Sequence, residues 1–148
     1  MAIRKATLED VEPMVDLGRV MHQESPRFSQ LSFDVPKVRG TIASMVDDER
    51  YFLVVDERAG ELVAGFAGFV MPHWFSADLV AQDMALFVRP DKRGSLAAAR
   101  MVQMFVDWAK WRGAKQIVLG ISTGVHVEQT ARLYQSIGLH EFGRLFEV

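Results

Sequence analysis

The spacing of apolar and polar positions divides the chain into alternating strands and helices. Ile3 to Ala6 reads as a short opening strand. Leu8, Val11, Val15, Gly18 and Met21 then fall on one face at helical spacing, with Thr7 or Asp10 as the cap. Pro13 suits Asp10, because it then lies in the first turn, where proline removes no hydrogen bond. This helix ends before Ser25-Pro26, and residues 23–34 carry no period and read as a loop. Asp34 is placed to cap a second helix with Val38, Ile42 and Met45 as its buried stripe. Three acids, Asp47, Asp48 and Glu49, follow; they oppose the dipole of a helix C-terminus and belong to an exposed turn.

Residues 51–55 are strand-like, residues 57–61 are a turn around Gly60, and Leu62 to Met71 is apolar on both alternating faces, as in a central strand covered on both sides. An aromatic connection, His73 to Asp78, leads to a strand over 80–89 that Pro90 stops, and the three strands read as an antiparallel meander. The strongest helix spans 95–111, with Leu96, Ala99, Val102, Phe105, Val106 and Ala109 on its apolar face and Gly113 placed as a C-cap residue. A short strand over 116–121 follows, then a helix over 128–137 closed by Gly138, then a final strand within 139–148, bent at Gly143. Strand 80–89, helix 95–111 and strand 116–121 have the order and length of a right-handed parallel βαβ unit. The expected fold is therefore α/β with a mixed sheet and helices on both faces, in the order β-α-α-β-β-β-α-β-α-β.

The 148 residues, 49% hydrophobic and 24% charged, suit one domain with an ordinary core, and no linker or repeat divides them. Lys+Arg 17 against Asp+Glu 19 leaves a net charge of −2, which argues against general nucleic-acid binding. Cysteine is absent, so disulfides, zinc-thiolate sites and cysteine nucleophiles are excluded. No H-E-x-x-H or similar array points to a metal. The longest apolar stretch, 62–71, is far below the about 20 residues that a membrane helix needs, and no signal core opens the chain, so the expected location is cytoplasmic.

One segment carries chemistry: Val88-Arg89-Pro90-Asp91-Lys92-Arg93-Gly94-Ser95-Leu96-Ala97-Ala98. A strand ends, a basic loop follows, and a long helix begins with small residues. Amides at a helix start lack internal partners and, with the helix dipole, attract anions. Gly94 lets backbone approach a ligand, Ser95, Ala97 and Ala98 keep bulk away, and Arg89, Lys92, Arg93 and Arg100 add positive charge. A phosphate or diphosphate is the preferred guest; an ordinary loop with solvated charges is the alternative. Neither a P-loop nor a G-x-G-x-x-G nicotinamide fingerprint is present.

This segment resembles the diphosphate loop of the GNAT superfamily of acyl-CoA-dependent N-acyltransferases, Arg/Gln-x-x-Gly-x-Gly/Ala. Arg93 and Ala98 occupy its first and last positions, and Leu96 stands where the family has Gly. Ala131-Arg132-Leu133-Tyr134-Gln135-Ser136-Ile137-Gly138-Leu139 resembles the family's Ala-x-x-Leu/Phe-Tyr-x-x-x-Gly-Phe, although Glu128 replaces the preceding Asn. The opening, Ile3 to Val11, is similar as well.

The resemblance implies a single domain over 1–148 with a mostly antiparallel sheet. It also implies a V-shaped splay between two parallel strands, 80–89 and 116–121. It implies acetyl-CoA as cosubstrate and direct attack by an amine on its thioester. Leu86, Phe87 and Val88 would pair with the pantetheine arm, and Arg93, Gly94, Ser95, Leu96, Ala97 and Ala98 would hold the diphosphate. Tyr134 matches the family tyrosine that protonates the leaving thiolate; a packing tyrosine is its other reading. Asp83 interrupts an apolar strand face that includes Ala85 and Phe87, where burial would raise its pKa and suit it to act as base. His73 and a water chain are the competing bases. His73, Trp74 and Phe28, with Phe33 and Phe75, are expected around the acceptor, drawn from loops 22–34 and 72–79. Glu24, Asp34 and Asp78 are acids that would attract a cationic amine. The acceptor is a small-molecule or peptide amine, and a homodimer through the last strand or the helices is compatible with the family. A non-catalytic module of the same fold, sensing CoA or binding a protein, is the alternative that Leu96 and Glu128 motivate.

Overall fold

The computed structural model describes residues 2–148. A short strand, β1 (Ala2–Lys5), pairs antiparallel with β2 (Tyr51–Arg58). Between them lie helices α1 (Val11–Glu24) and α2 (Val35–Met45). The chain then builds β3 (Glu61–Pro72), β4 (Leu79–Val88), α3 (Ala97–Trp111), β5 (Gln116–Val118) and α4 (Val127–Ser136). The sheet runs β1-β2-β3-β4-β5; every pairing is antiparallel except the last, β4 with β5.

Local chemistry explains most of these boundaries. Thr7 and Asp10 share the entry to α1: residues 8–10 form a 3-10 turn, and Asp10 accepts the Thr7 amide at 2.8 Å. Asp34 caps α2 by accepting the Lys37 amide at 3.0 Å. The β2–β3 hairpin turns on Ala59 and Gly60, both at positive φ, the two-residue geometry that matches strand twist.

Alternation along the strands makes two cores. Phe52, Val54, Ala64, Phe66 and Val70 pack against Met101, Val102, Phe105 and Ala109 of α3 and against Tyr134 of α4. Leu53, Val55 and Ala67 face the other way, onto Val11 and Val15 of α1 and Ile42 and Met45 of α2. Helices thus cover both faces, as the sequence pattern requires.

Several boundaries differ from expectation. The strand expected over 51–55 runs on to Arg58, into the turn expected over 57–61, because Glu57 and Arg58 still pair with Leu62 and Glu61. The strand expected over 116–121 stops at Val118, because β5 pairs with β4 only through Gln82↔Val118 and the two then part. The helix expected from Ser95 starts at Ala97, after Gly94 turns the chain at φ +90°. No strand forms within 139–148: this segment has no regular structure, although Leu139 packs on the α3 core and Glu147 pairs with Arg27 at 2.8 Å. The turn containing Asp47, Asp48 and Glu49 follows α2 as expected.

Candidate active site

The parting of β4 from β5 creates the site. In β3–β4 pairing, Ala67 faces Ala85 but Gly68 faces Asp83, so Met84 is an extra residue and β4 bulges there. From this point β4 continues to Val88 without a strand on its outer side, while the chain after β5 moves away through Gly120. A cleft of about 580 Å³ opens between them, a size within the usual range for small-molecule sites.

Asp83 and Tyr134 meet in this cleft through one residue. Asp83 Oδ1 accepts the Gly120 amide at 3.1 Å, and the Tyr134 hydroxyl donates to the Gly120 carbonyl at 3.3 Å. Burial pushes the Asp83 carboxyl up to about 6, although the Gly120 amide pulls the other way. Burial, and then the negative charge of Asp83, raise the Tyr134 hydroxyl well above its ordinary value. At neutral pH the pair therefore consists of a proton acceptor and a proton donor.

The other end of the cleft is the loop between β4 and α3. Gly94 lines it, and space is open where its Cβ would lie. Ser95 lines it as well; its hydroxyl receives the Ala97 amide at 3.3 Å and Arg58 Nη2 at 3.0 Å. Arg58 is itself anchored on fully buried Asp56 at 2.9 Å. Ala98 follows, in the first helical turn, where amides have no intrahelical acceptor. An anion here would meet amide hydrogens, a helix N-terminus and arginine.

Most of the residues singled out from sequence come together around this cleft: Phe28, Asp83, Leu86, Phe87, Val88, Arg93, Gly94, Ser95, Ala98 and Tyr134 all line it. Leu96 does not; its side chain is 64% exposed and leaves the cleft unobstructed. Ala97 is wholly buried beneath the loop. His73 and Trp74 are not brought to the cleft. They sit before β4 begins, whereas the cleft opens only from Asp83 onward. Trp74 is 89% exposed and packs with His73 and Phe75 in a surface group. Phe33 contacts His22 and Gly18 instead. Of the three acids, only Glu24 reaches the cleft; Asp34 caps α2, and Asp78 pairs with Lys115 at 3.2 Å.

Sequence reasoning missed Gly120 and Arg58, and it reads His126 only as a neighbour of the α4 cap. Gly120 acts through backbone groups that no motif encodes. Arg58 comes from β2, far from the loop it steadies. His126 lines the cleft from the left-handed residue that starts α4, and that turn has no local signature. Among the described residues no three His, Asp or Glu side chains gather as a metal-binding group, and no helix is long and apolar enough to cross a membrane.

A mixed sheet split between parallel strands, with a glycine-bearing helix-start loop at one end of the split, frames one continuous cleft. The family model described as Acetyltransferase (GNAT) family matches residues 18–139, and the chain belongs to that family. No curated protein matches the chain. Among solved structures it is similar to glucosamine-6-phosphate N-acetyltransferase from Arabidopsis thaliana (16% identity, TM-score 0.76, 99% of this chain and 96% of that one). It is also similar to a transcriptional regulator from Bacillus halodurans C-125 (18% identity, TM-score 0.79, 99% and 97%). A third is a protein of Clostridium acetobutylicum described as a predicted acetyltransferase with acetyl-CoA (16% identity, TM-score 0.76, 99% and 94%). At these identities the likeness establishes the fold.

Proposed function

We propose that the protein is an N-acetyltransferase that moves an acetyl group from acetyl-CoA to a primary amine by direct attack. The observation that carries this reading is the continuity of one cleft, with the anion loop at one end and the Asp83–Gly120–Tyr134 cluster at the other. The residues present suit acetyl-CoA. Gly94, Ser95 and Ala98 offer a cradle with open space above Gly94, and Arg93 adds charge. The outer edge of β4 over Leu86 to Val88, apart from the Val88 carbonyl that Arg93 Nε occupies, offers backbone groups to an extended amide-bearing arm, which would join the sheet in place of a strand.

The chemistry then follows from protonation states. The attacking nitrogen must be neutral, so Asp83 takes its proton directly or through a water; a carboxylate with a pKa near 6 is ionised at neutral pH yet basic enough to accept. The nitrogen forms the C–N bond, and the C–S bond breaks. Tyr134, kept protonated, gives its proton to the departing thiolate. The adjoining pocket wall of Met21, Phe28 and His126 gives the acceptor an environment with both apolar and polar groups.

The test combines calorimetric titration of CoA with a thiol-release assay over a panel of amines. Binding in the micromolar range with amine-dependent thiol release is expected, and Tyr134→Phe is expected to lower kcat by about a hundredfold while leaving CoA affinity unchanged. Intact turnover in Tyr134→Phe removes the donor role. CoA binding without turnover on any amine favours the non-catalytic, CoA-sensing module, and absence of CoA binding refutes both.

A further inference from the structure

Arg93, the charged residue of the anion loop, is fully engaged within the protein. Its Nη1 and Nη2 donate to the two carboxylate oxygens of Glu24 at 2.7 and 2.8 Å, and its Nε donates to the Val88 carbonyl at 3.0 Å. This is the bidentate fork by which arginine grips carboxylates and phosphates alike. Two independent features mark Glu24 as more than a surface partner. It lines the same cleft as Gly94, Ser95 and Ala98. It is also the last residue of α1, where the helix dipole disfavours a negative charge. Arg93, by contrast, is moored without Glu24: the Val88 carbonyl holds its Nε, and its guanidinium lies over the Phe87 ring at 5.7 Å.

We infer that Glu24 is an internal competitor for Arg93, a carboxylate that occupies the guanidinium fork until the diphosphate of acyl-CoA displaces it. The inference rests on the acyl-CoA reading and adds a gate to it. An exposed pair of this kind is worth little on its own account. A dianionic diphosphate that also meets the loop amides and the start of α3 outcompetes it, but at reduced affinity. Glu24 thereby tunes cosubstrate affinity from outside the loop motif. Ligands that lack a diphosphate do not compete for the fork and escape the effect.

The experiment compares calorimetric Kd values of CoA and of S-acetylpantetheine, which lacks the diphosphate, for wild type, Glu24→Gln and Glu12→Gln. Glutamine keeps the shape and one acceptor for Arg93, and thermal unfolding checks that the fold is retained. Glu12→Gln removes the same charge from the same helix, but from an ion pair with Arg39 outside the cleft. The expected result is a CoA Kd about two- to fivefold lower in Glu24→Gln, with S-acetylpantetheine and Glu12→Gln both unchanged. An unchanged or weakened CoA affinity in Glu24→Gln overturns the gate and leaves the acyl-CoA reading standing. Equal tightening of S-acetylpantetheine overturns it too, by showing a loosened cleft, as does equal tightening in Glu12→Gln, by showing a general charge effect. CoA binding by Glu24→Gln but not by wild type supports the gate in its strongest form. Failure of both to bind CoA refutes the gate together with the reading beneath it.

Discussion

Replacing Asp83 by Asn is expected to make the protein more stable at alkaline pH while removing its activity. The buried carboxyl titrates at about 6 in the fold, against 3.8 in the unfolded chain. The folded state therefore holds its proton more tightly, so folding is disfavoured as the group ionises. The penalty is absent well below pH 3.8, grows between about 3.8 and 6, and is complete above that range. A difference of about two units corresponds to roughly 3 kcal/mol. Asp83 retains some solvent access, so about half of that, ~1.5 kcal/mol, is the realistic expectation. Asparagine occupies the same space, keeps an oxygen for the Gly120 amide and carries no charge.

Thermal unfolding checks the argument. At pH 8 the Asn variant is expected to melt about 3–6 °C above wild type, and most of that gain is expected to vanish by pH 4. In parallel, kcat in the thiol-release assay falls by about a hundredfold or more, and the acidic limb of the wild-type rate profile, with its midpoint near 6, disappears. Equal melting temperatures at pH 8, or a gain that persists undiminished at pH 4, would refute the claim that the fold penalises this charge.

Gly68→Ala tests the packing beneath the cleft. Its Cβ would stand 3.0 Å from Cδ1 and Cζ of Phe105, nearer still to Cε1, and Phe105 is wholly buried, so a loss of about 1–3 kcal/mol is expected in denaturant unfolding. Asp10→Asn tests the opposite titration sign. The Arg4 guanidinium, at 2.7 and 2.9 Å, holds the Asp10 carboxyl below its ordinary range, so its contribution is present above pH 3.8 and lost as pH falls through the folded value. The variant is expected to lose about 1.5–3 kcal/mol at pH 7, with the gap to wild type closing in acid. Gly94→Ala forces a Cβ onto a residue at φ +90°, so CoA affinity is expected to fall by about tenfold as the loop distorts.

What the sequence disclosed, and what it withheld, divides along the range of the forces involved. Helix caps and hairpin turns are local, so the Asp34 cap and a turn around Gly60 are readable where they stand, although pairing through Arg58↔Glu61 narrows that turn to Ala59 and Gly60. The loop 88–98 was readable because strand, glycine and small helix-start residues are contiguous. Asp83 stands out singly as a polar residue in an apolar strand, but the face expected for it, with Ala85 and Phe87, is wrong: the Met84 bulge puts it in phase with Leu86 and Val88 instead. Tyr134 stands out by resemblance, and the meeting of the two at Gly120 depends on where two segments part. The sequence places His73 and Trp74 near the acceptor because they lie in an aromatic connection between two strands. The loop instead lies beyond the paired end of β4, where its aromatics pack on one another. The final segment fits a strand in composition, yet a strand requires a partner edge, and 139–148 forms no pairing.

The Met84 bulge links these observations. Had β4 kept the register of its first half opposite β3, the residues after Asp83 would have changed faces, since strand side chains alternate with period two. The inserted residue gives the segment before it and the segment after it separate phases. Before it, Ala81 and Asp83 share the α3 face, Ala81 wholly buried and Asp83 looking onto Gly120 and the cleft; after it, Leu86 and Val88 take that face in place of Ala85 and Phe87. The same irregularity lies next to the last β4–β5 pair, Gln82↔Val118, where the parallel strands separate. Opposite it β3 carries Gly68, with the Phe105 ring occupying the space that a side chain would need. One extra residue in one strand therefore sits where a carboxylate enters an apolar wall, a strand edge loses its partner and the cleft opens. Deletion of Met84, which restores register, is expected to disturb all three together, rather than any one alone.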